Sequence, residues 1–141
     1  MYQLGPQSLR TLEGVHPRLC AVVHDTMAMQ IMDFRVHEGV RTLERQRELF
    51  KNGASQTLKS KHLVQADGYG HAVDLYPYPI DMKRVNNGNA QEIVRFGLLA
   101  GLMHAAAIHN KVKIVWGADW NLNGQTLDHS LFDGPHFQIM L

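Results

Sequence analysis

The stretch 90–108 does most to limit what this chain can fold into. Ile93, Phe96, Leu99, Leu102, Met103 and Ala106 recur at helical spacing on one face, and the small residues between them allow close packing. The strand signals are short by comparison: residues 33–36, 72–76, 111–116 and 136–140. Helical signals come first, and later short strands carry the polar residues. That order predicts an α+β domain, with helices packed on a short antiparallel sheet, rather than repeated βαβ units. At 141 residues, with 45% hydrophobic side chains, the chain can close one core and has little room for a second module. A single domain over 1–141 is therefore expected.

The remaining elements follow from local signals. Leu4, Leu9 and Leu12 suggest a short first helix closed by Gly14, after which Pro17 can open a second. Leu19, Val22, Val23, Met27 and Ile31 describe the buried face of that second helix, to about residue 32, with His24 and Asp25 on its solvated flank. Thr42 caps a third helix whose buried positions are expected to include Leu43, Leu49 and Phe50 and which stops at Asn52-Gly53. Residues 54–59 read as an exposed loop, Pro77-Tyr78-Pro79 as a strand stop, and residues 86–89 as a turn. His104 and His109, five residues apart, do not share a helical face and read as structural.

Charge and cysteine content narrow the function. A formal charge of +1, from 14 basic and 13 acidic side chains, predicts no strong attraction to nucleic acid. Cys20 has no partner for a disulfide, sits in an apolar helical run and has no evident activating base. Residues 1–11 carry no basic-then-apolar leader, and no apolar run reaches the ~18 residues needed to span a bilayer. A cytosolic protein that neither exports nor anchors itself is expected.

The chemistry concentrates in Ser60-Lys-His-Leu-Val-Gln-Ala-Asp-Gly-Tyr-Gly-His-Ala-Val-Asp74 and in Asp133-Gly-Pro-His136. Two imidazoles and a carboxylate are the three protein ligands a catalytic zinc keeps, with a fourth position open to water. Gly70, Ala72 and Asp74 share one face of an extended strand, and the small residues leave space in front of Asp74. By that parity His71 points the other way, so His62 is preferred as the first ligand; a strand beginning only after His71 would reopen the choice. His136 supplies the third ligand. Asp133 would hold a general-base carboxylate beside the water, or orient a ligand histidine from behind. Arg41, just before the Thr42 cap, offers a donor fork for a substrate carboxylate or an oxyanion. Asp119, Asn121, Asn123 and Gly124, followed by Asp128, repeat the start of a calcium loop without its distal glutamate.

Ser60-Lys61-His62, Gly70-His71-Ala72-Val73-Asp74 and Asp133-Gly-Pro-His136-Phe137 resemble the S-x-H, G-x-A-x-D and D-x-x-H elements of the zinc D-alanyl-D-alanine peptidase superfamily. Within it they look most like phage L-alanyl-D-glutamate endopeptidases. Gly39-Val-Arg41-Thr42 and Trp116-Gly-Ala-Asp-Trp120 extend the likeness from about Pro17 to the C-terminus. The resemblance implies zinc on His62, Asp74 and His136, Asp133 as catalytic base, and Arg41 holding the substrate or the anionic intermediate. It also implies a small α+β domain with zinc on the sheet, and a monomer acting on the peptidoglycan stem peptide. Such an enzyme would wait in the host cytoplasm until the membrane is permeabilised. A loop acidic like Asp119–Asp128 implies calcium control. Residues 63–69 depart from the compact motif, in which position 67, here Asp67, would be a histidine; they read as a loop insertion that keeps His62. The alternatives are a D-alanyl-D-alanine carboxypeptidase or dipeptidase using the same zinc site, and a wall-binding domain that has lost its chemistry.

Overall fold

The computed structural model describes residues 1–55, 57–125 and 133–141. Helices α1 (Pro6–Thr11), α2 (Pro17–Ala28), α3 (Leu43–Lys51), α4 (Met82–Asn86) and α5 (Ala90–His109) accompany strands β1 (Phe34–Glu38), β2 (Ala72–Pro77), β3 (Lys113–Trp116) and β4 (His136–Met140). The strands form one antiparallel sheet in the order β1-β2-β4-β3. Phe34, Val36, Val73, Leu75, Ile114, Phe137 and Ile139 bury one face of the sheet in a core shared with Leu19, Val22 and Val23 of α2 and Leu99 and Met103 of α5. The sheet alternates, so Asp74, His136 and Gln138 project from the other face. The α+β expectation holds. Among the described residues, no helix is long and apolar enough to cross a membrane.

Local chemistry explains the helix starts. Pro17 is the first residue of α2, where its missing N–H costs nothing, and the His16 ring accepts from Arg18 N. The Thr42 hydroxyl caps α3 through Arg45 N, and Asn89 caps α5 through Glu92 N.

Several expectations need correction. Helix α2 ends at Ala28, and Ile31, beyond it, is exposed. Leu43 and Phe50 of α3 are exposed, while Gln46 is fully buried. This helix lies at the rim of a cleft, and it points a polar residue inward because the groups it meets there are polar. Strand β2 continues through Pro77, which pairs with Phe34, and the residues after it include the short α4, which runs into the expected turn at 86–89 and which no sequence signal marked. Cys20 is partly buried, with its Sγ near the Leu12 and Val15 carbonyls; burial raises its thiol pKa, which keeps it inert.

Candidate metal centre

Antiparallel register sets Asp74 of β2 directly opposite His136 of β4, as neighbours on the polar face. His62 arrives from the segment before β2, where its own carbonyl accepts from Arg41 N at 2.9 Å. The His62 Nε2 lies 3.2 Å, and the His136 Nδ1 3.4 Å, from Asp74 Oδ1. His62, Asp74 and His136 are the group among the described residues whose ligand atoms lie close enough together to hold a metal ion.

The outer nitrogen of each ring settles what the inner one offers. His62 Nδ1 is 2.8 Å from the Gly39 carbonyl, and His136 Nε2 is 2.8 Å from Gln138 Oε1. A carbonyl oxygen only accepts, so each outer nitrogen carries the proton and each inner nitrogen of a neutral ring presents a lone pair. Two nitrogen lone pairs thus face Asp74 Oδ1, a buried oxygen with no hydrogen-bond donor. Three acceptors aimed at one point are unfavourable unless a cation or a proton lies between them. A divalent ion with nitrogen and oxygen preference, such as zinc, fits this donor set.

The electrostatics describe the other case, in which a proton rather than a cation lies between the rings and the carboxylate. Burial alone would raise the Asp74 carboxyl, but the His136 and His62 imidazoles overcome it and hold Asp74 well below the ordinary carboxylate range. His136 is raised despite its burial, chiefly by Asp74. Asp133 is raised, first by burial and then by the Asp74 charge. Among the described residues its carboxylate has no hydrogen-bond partner. It lines the same cleft as the donor set, of about 660 Å³, as do Trp120, Arg41 and residues of the stretches 53–55 and 57–61. The Trp120 ring lies 5.5 Å from that of His136.

Arg41 is clamped. Its Nε and Nη2 donate to the two Glu38 oxygens at 2.7 and 2.8 Å, and Nη1 donates to Gln46 Oε1 at 2.6 Å. Glu38 reaches this position through a β-bulge: the β1–β2 register shifts between Val36 and Glu38, so Glu38 stands opposite Asp74. Gln46 Nε2 in turn donates to Ser55 Oγ and the Thr57 carbonyl, tying the cleft wall to the arginine. No sequence signal marks Gln46, which sits in a run of charged and polar residues.

Two glycines set the distances. A Cβ on Gly117 would run into the Asp133 carbonyl oxygen and come within 3.0 Å of the Asp133 and His136 Cβ atoms. A Cβ on Gly39 would collide with the Thr11 carbonyl, next to the carbonyl that orients His62. Gly70 is small for a different reason than space before the metal: its neighbours would be Val40 Cγ2 at 3.0 Å and the His62 carbonyl.

The other sequence candidates lie elsewhere. His71 bonds Asp67 Oδ2 at 2.7 Å, beside His16, and is not part of the donor group. His104 lines a smaller cleft with Asp119, and His109 is exposed. The Asp119 carboxylate closes its loop by accepting from Asn123 N and Gly124 N at 3.0 and 2.8 Å. Asp128, the last residue of the expected calcium loop, lies outside the described residues.

Helices pack on one face of a small antiparallel sheet, and the other face carries a His-Asp-His set that could hold a metal ion, beside the carboxylate of Asp133. The family model for phage L-alanyl-D-glutamate peptidase matches residues 1–140, and the chain belongs to this family. It is 26% identical over 147 residues to the L-alanyl-D-glutamate peptidase of Escherichia phage T5, covering 99% of this chain and 98% of that protein. The crystal structure of the Serratia marcescens L-Ala D-Glu endopeptidase ChiX superposes with a TM-score of 0.74 at 31% identity, covering 98% of this chain and 90% of that one.

Proposed function

We propose that this chain is a zinc-dependent endopeptidase that cleaves the L-alanyl-D-glutamate bond of the peptidoglycan stem peptide during phage-induced lysis, acting on the wall after the membrane is permeabilised. The observation that carries the reading is the convergence of His62 Nε2, His136 Nδ1 and the donorless Asp74 Oδ1, beside the free carboxylate of Asp133. Family membership supplies the bond.

In this reading His62, Asp74 and His136 hold zinc, which when bound polarises the scissile carbonyl and acidifies water. Asp133 takes the proton of the attacking water and delivers it to the leaving amine. Its raised pKa makes that return transfer easier than for an ordinary aspartate. Arg41, held by Glu38 and Gln46, presents its remaining N–H groups to the carbonyl oxygen as negative charge develops there. Trp120 covers one side of the His136 ring and limits water access.

The test measures bound zinc and product masses for wild type, His62→Ala and Asp133→Asn. His62→Ala should lose both zinc and cleavage, and Asp133→Asn should keep zinc while kcat falls at least about a hundredfold. A new C-terminal L-alanine identifies the endopeptidase, whereas free alanine from a D-alanyl-D-alanine end would identify a carboxypeptidase and overturn the bond assignment. We also propose calcium on Asp119, Asn121, Asn123 and Asp128. A chelator too weak to strip zinc should then lower activity, and unchanged activity discards this second site.

A further inference from the structure

A glutamyl residue on the amine side of the scissile bond carries one carboxyl group outside the peptide chain. We infer that Lys59 and Lys61 read this spare carboxylate and restrict the enzyme to stems in which it is free rather than amidated. The inference rests on the bond proposed above and adds the charge state of the substrate.

Among the described residues, the charges lining the cleft are Glu38, Asp74 and Asp133 against Arg41, Lys59 and Lys61. Arg41 is the obvious carboxylate receptor by residue type, yet Glu38 holds it in a bidentate pair and Gln46 takes a third N–H. Its charge is already compensated. A substrate carboxylate approaching it would also meet Glu38, Asp74 and Asp133, whose carboxylates all act on the guanidinium. Asp74 and Asp133 are in turn balanced once a divalent cation occupies the donor set. Lys59 and Lys61 remain. Both are exposed on the 57–61 wall, and neither forms a salt bridge with another described residue.

Their backbone is not free to wander. The Lys61 carbonyl accepts from His71 N at 2.8 Å, Lys59 N donates to Thr57 Oγ1 at 2.9 Å, and the Thr57 carbonyl is held by buried Gln46. His62, the next residue, is a donor of the metal group, so the lysines keep a set distance from the reacting centre. An excess of two positive charges along one wall favours an anionic ligand most at low ionic strength, because exposed charges are screened by salt.

The experiment uses two L-alanyl-D-glutamyl peptides that differ only in the spare glutamate carboxyl, free in one and carboxamide in the other. Zinc-loaded wild type should show a KM about tenfold lower for the carboxylate peptide, narrowing toward parity between about 0.05 and 0.5 M salt. The double substitution Lys59→Met, Lys61→Met should raise the KM for the carboxylate peptide to the value for the carboxamide. Lys59→Arg, Lys61→Arg should restore the preference. Equal KM values in wild type, or a preference that survives the double Met variant, overturn the inference while leaving the bond assignment intact. Cleavage of neither peptide overturns both.

Discussion

Gln46 shows how much one side chain can set. It is fully buried and makes three hydrogen bonds, to Arg41 Nη1, Ser55 Oγ and the Thr57 carbonyl. Gln46→Met keeps the volume and strands those partners, so it should destabilise the fold by about 2–3 kcal/mol, read as a lower urea midpoint with unchanged slope. A change under about 0.5 kcal/mol would mean that water replaces the amide. The charge on Arg41 also reaches Asp133. Burial and Asp74 raise the Asp133 pKa, and Arg41 is among the charges that pull it down. A base works only when deprotonated, so activity falls as pH drops through that raised value. The acid limb of kcat/KM should therefore follow Asp133. Arg41→Met removes a lowering charge and leaves Glu38 uncompensated, so it should move that limb to still higher pH; a limb that stays in place removes Asp133 as the titrating base.

At the level of elements, the site depends on close backbone approach. The Asp133–His136 segment docks on Gly117, with Gly117 N donating to the His136 carbonyl at 2.8 Å and Asp133 N to the Gly117 carbonyl at 2.7 Å. Gly117→Ala should push base and ligand outward together and weaken zinc affinity at least about tenfold, with the far-ultraviolet spectrum of the fold retained. Native affinity in that variant would show that the segment shifts without cost. The sequence reveals part of this scale and hides the rest. Pro17 and Thr42 mark their helix starts because capping is local chemistry, and the period-two alternation puts Asp74 and His136 on polar faces of their strands. The bulge that brings Glu38 opposite Asp74 adds one residue to a ladder, and nothing in residues 33–38 announces it. Gly39 and Gly117 are required by neighbours distant in sequence, so their letters read as ordinary turns. Leu43 and Phe50 satisfy a helical pattern but have no core to meet, since α3 borders the cleft. Residues 63–69 read as a departure in length, while the anchoring of Asp67 to His71 and His16 depends on tertiary placement.

For the whole molecule, the proposed metal group would act as a fastening as well as a reaction centre. Its donors come from β2, β4 and the segment before β2, and through Gly39 and Gln138 they engage the residue after β1 and the polar face of β4. The unfolded chain scatters these donors over 75 residues, from His62 to His136, so it cannot bind an ion with all three at once. An ion that binds only the folded state stabilises it by mass action, by about 2.7 kcal/mol when its free concentration is a hundred times Kd. For a chain of this length that corresponds to a rise in Tm of roughly 8 °C. Calorimetry with and without zinc measures the rise, and Asp74→Asn should abolish it because the central oxygen then loses its charge. A rise of the same size in Asp74→Asn would place the stabilising ion elsewhere. The Asp119 loop would then be the place to look, since Asp119 is buried and its own backbone amides hold its carboxylate ready. Calcium, an oxygen-seeking ion, would raise Tm through that loop, whereas zinc would act through the imidazoles. Titrating the two ions separately into both proteins therefore assigns each stabilising effect to one of the two donor sets.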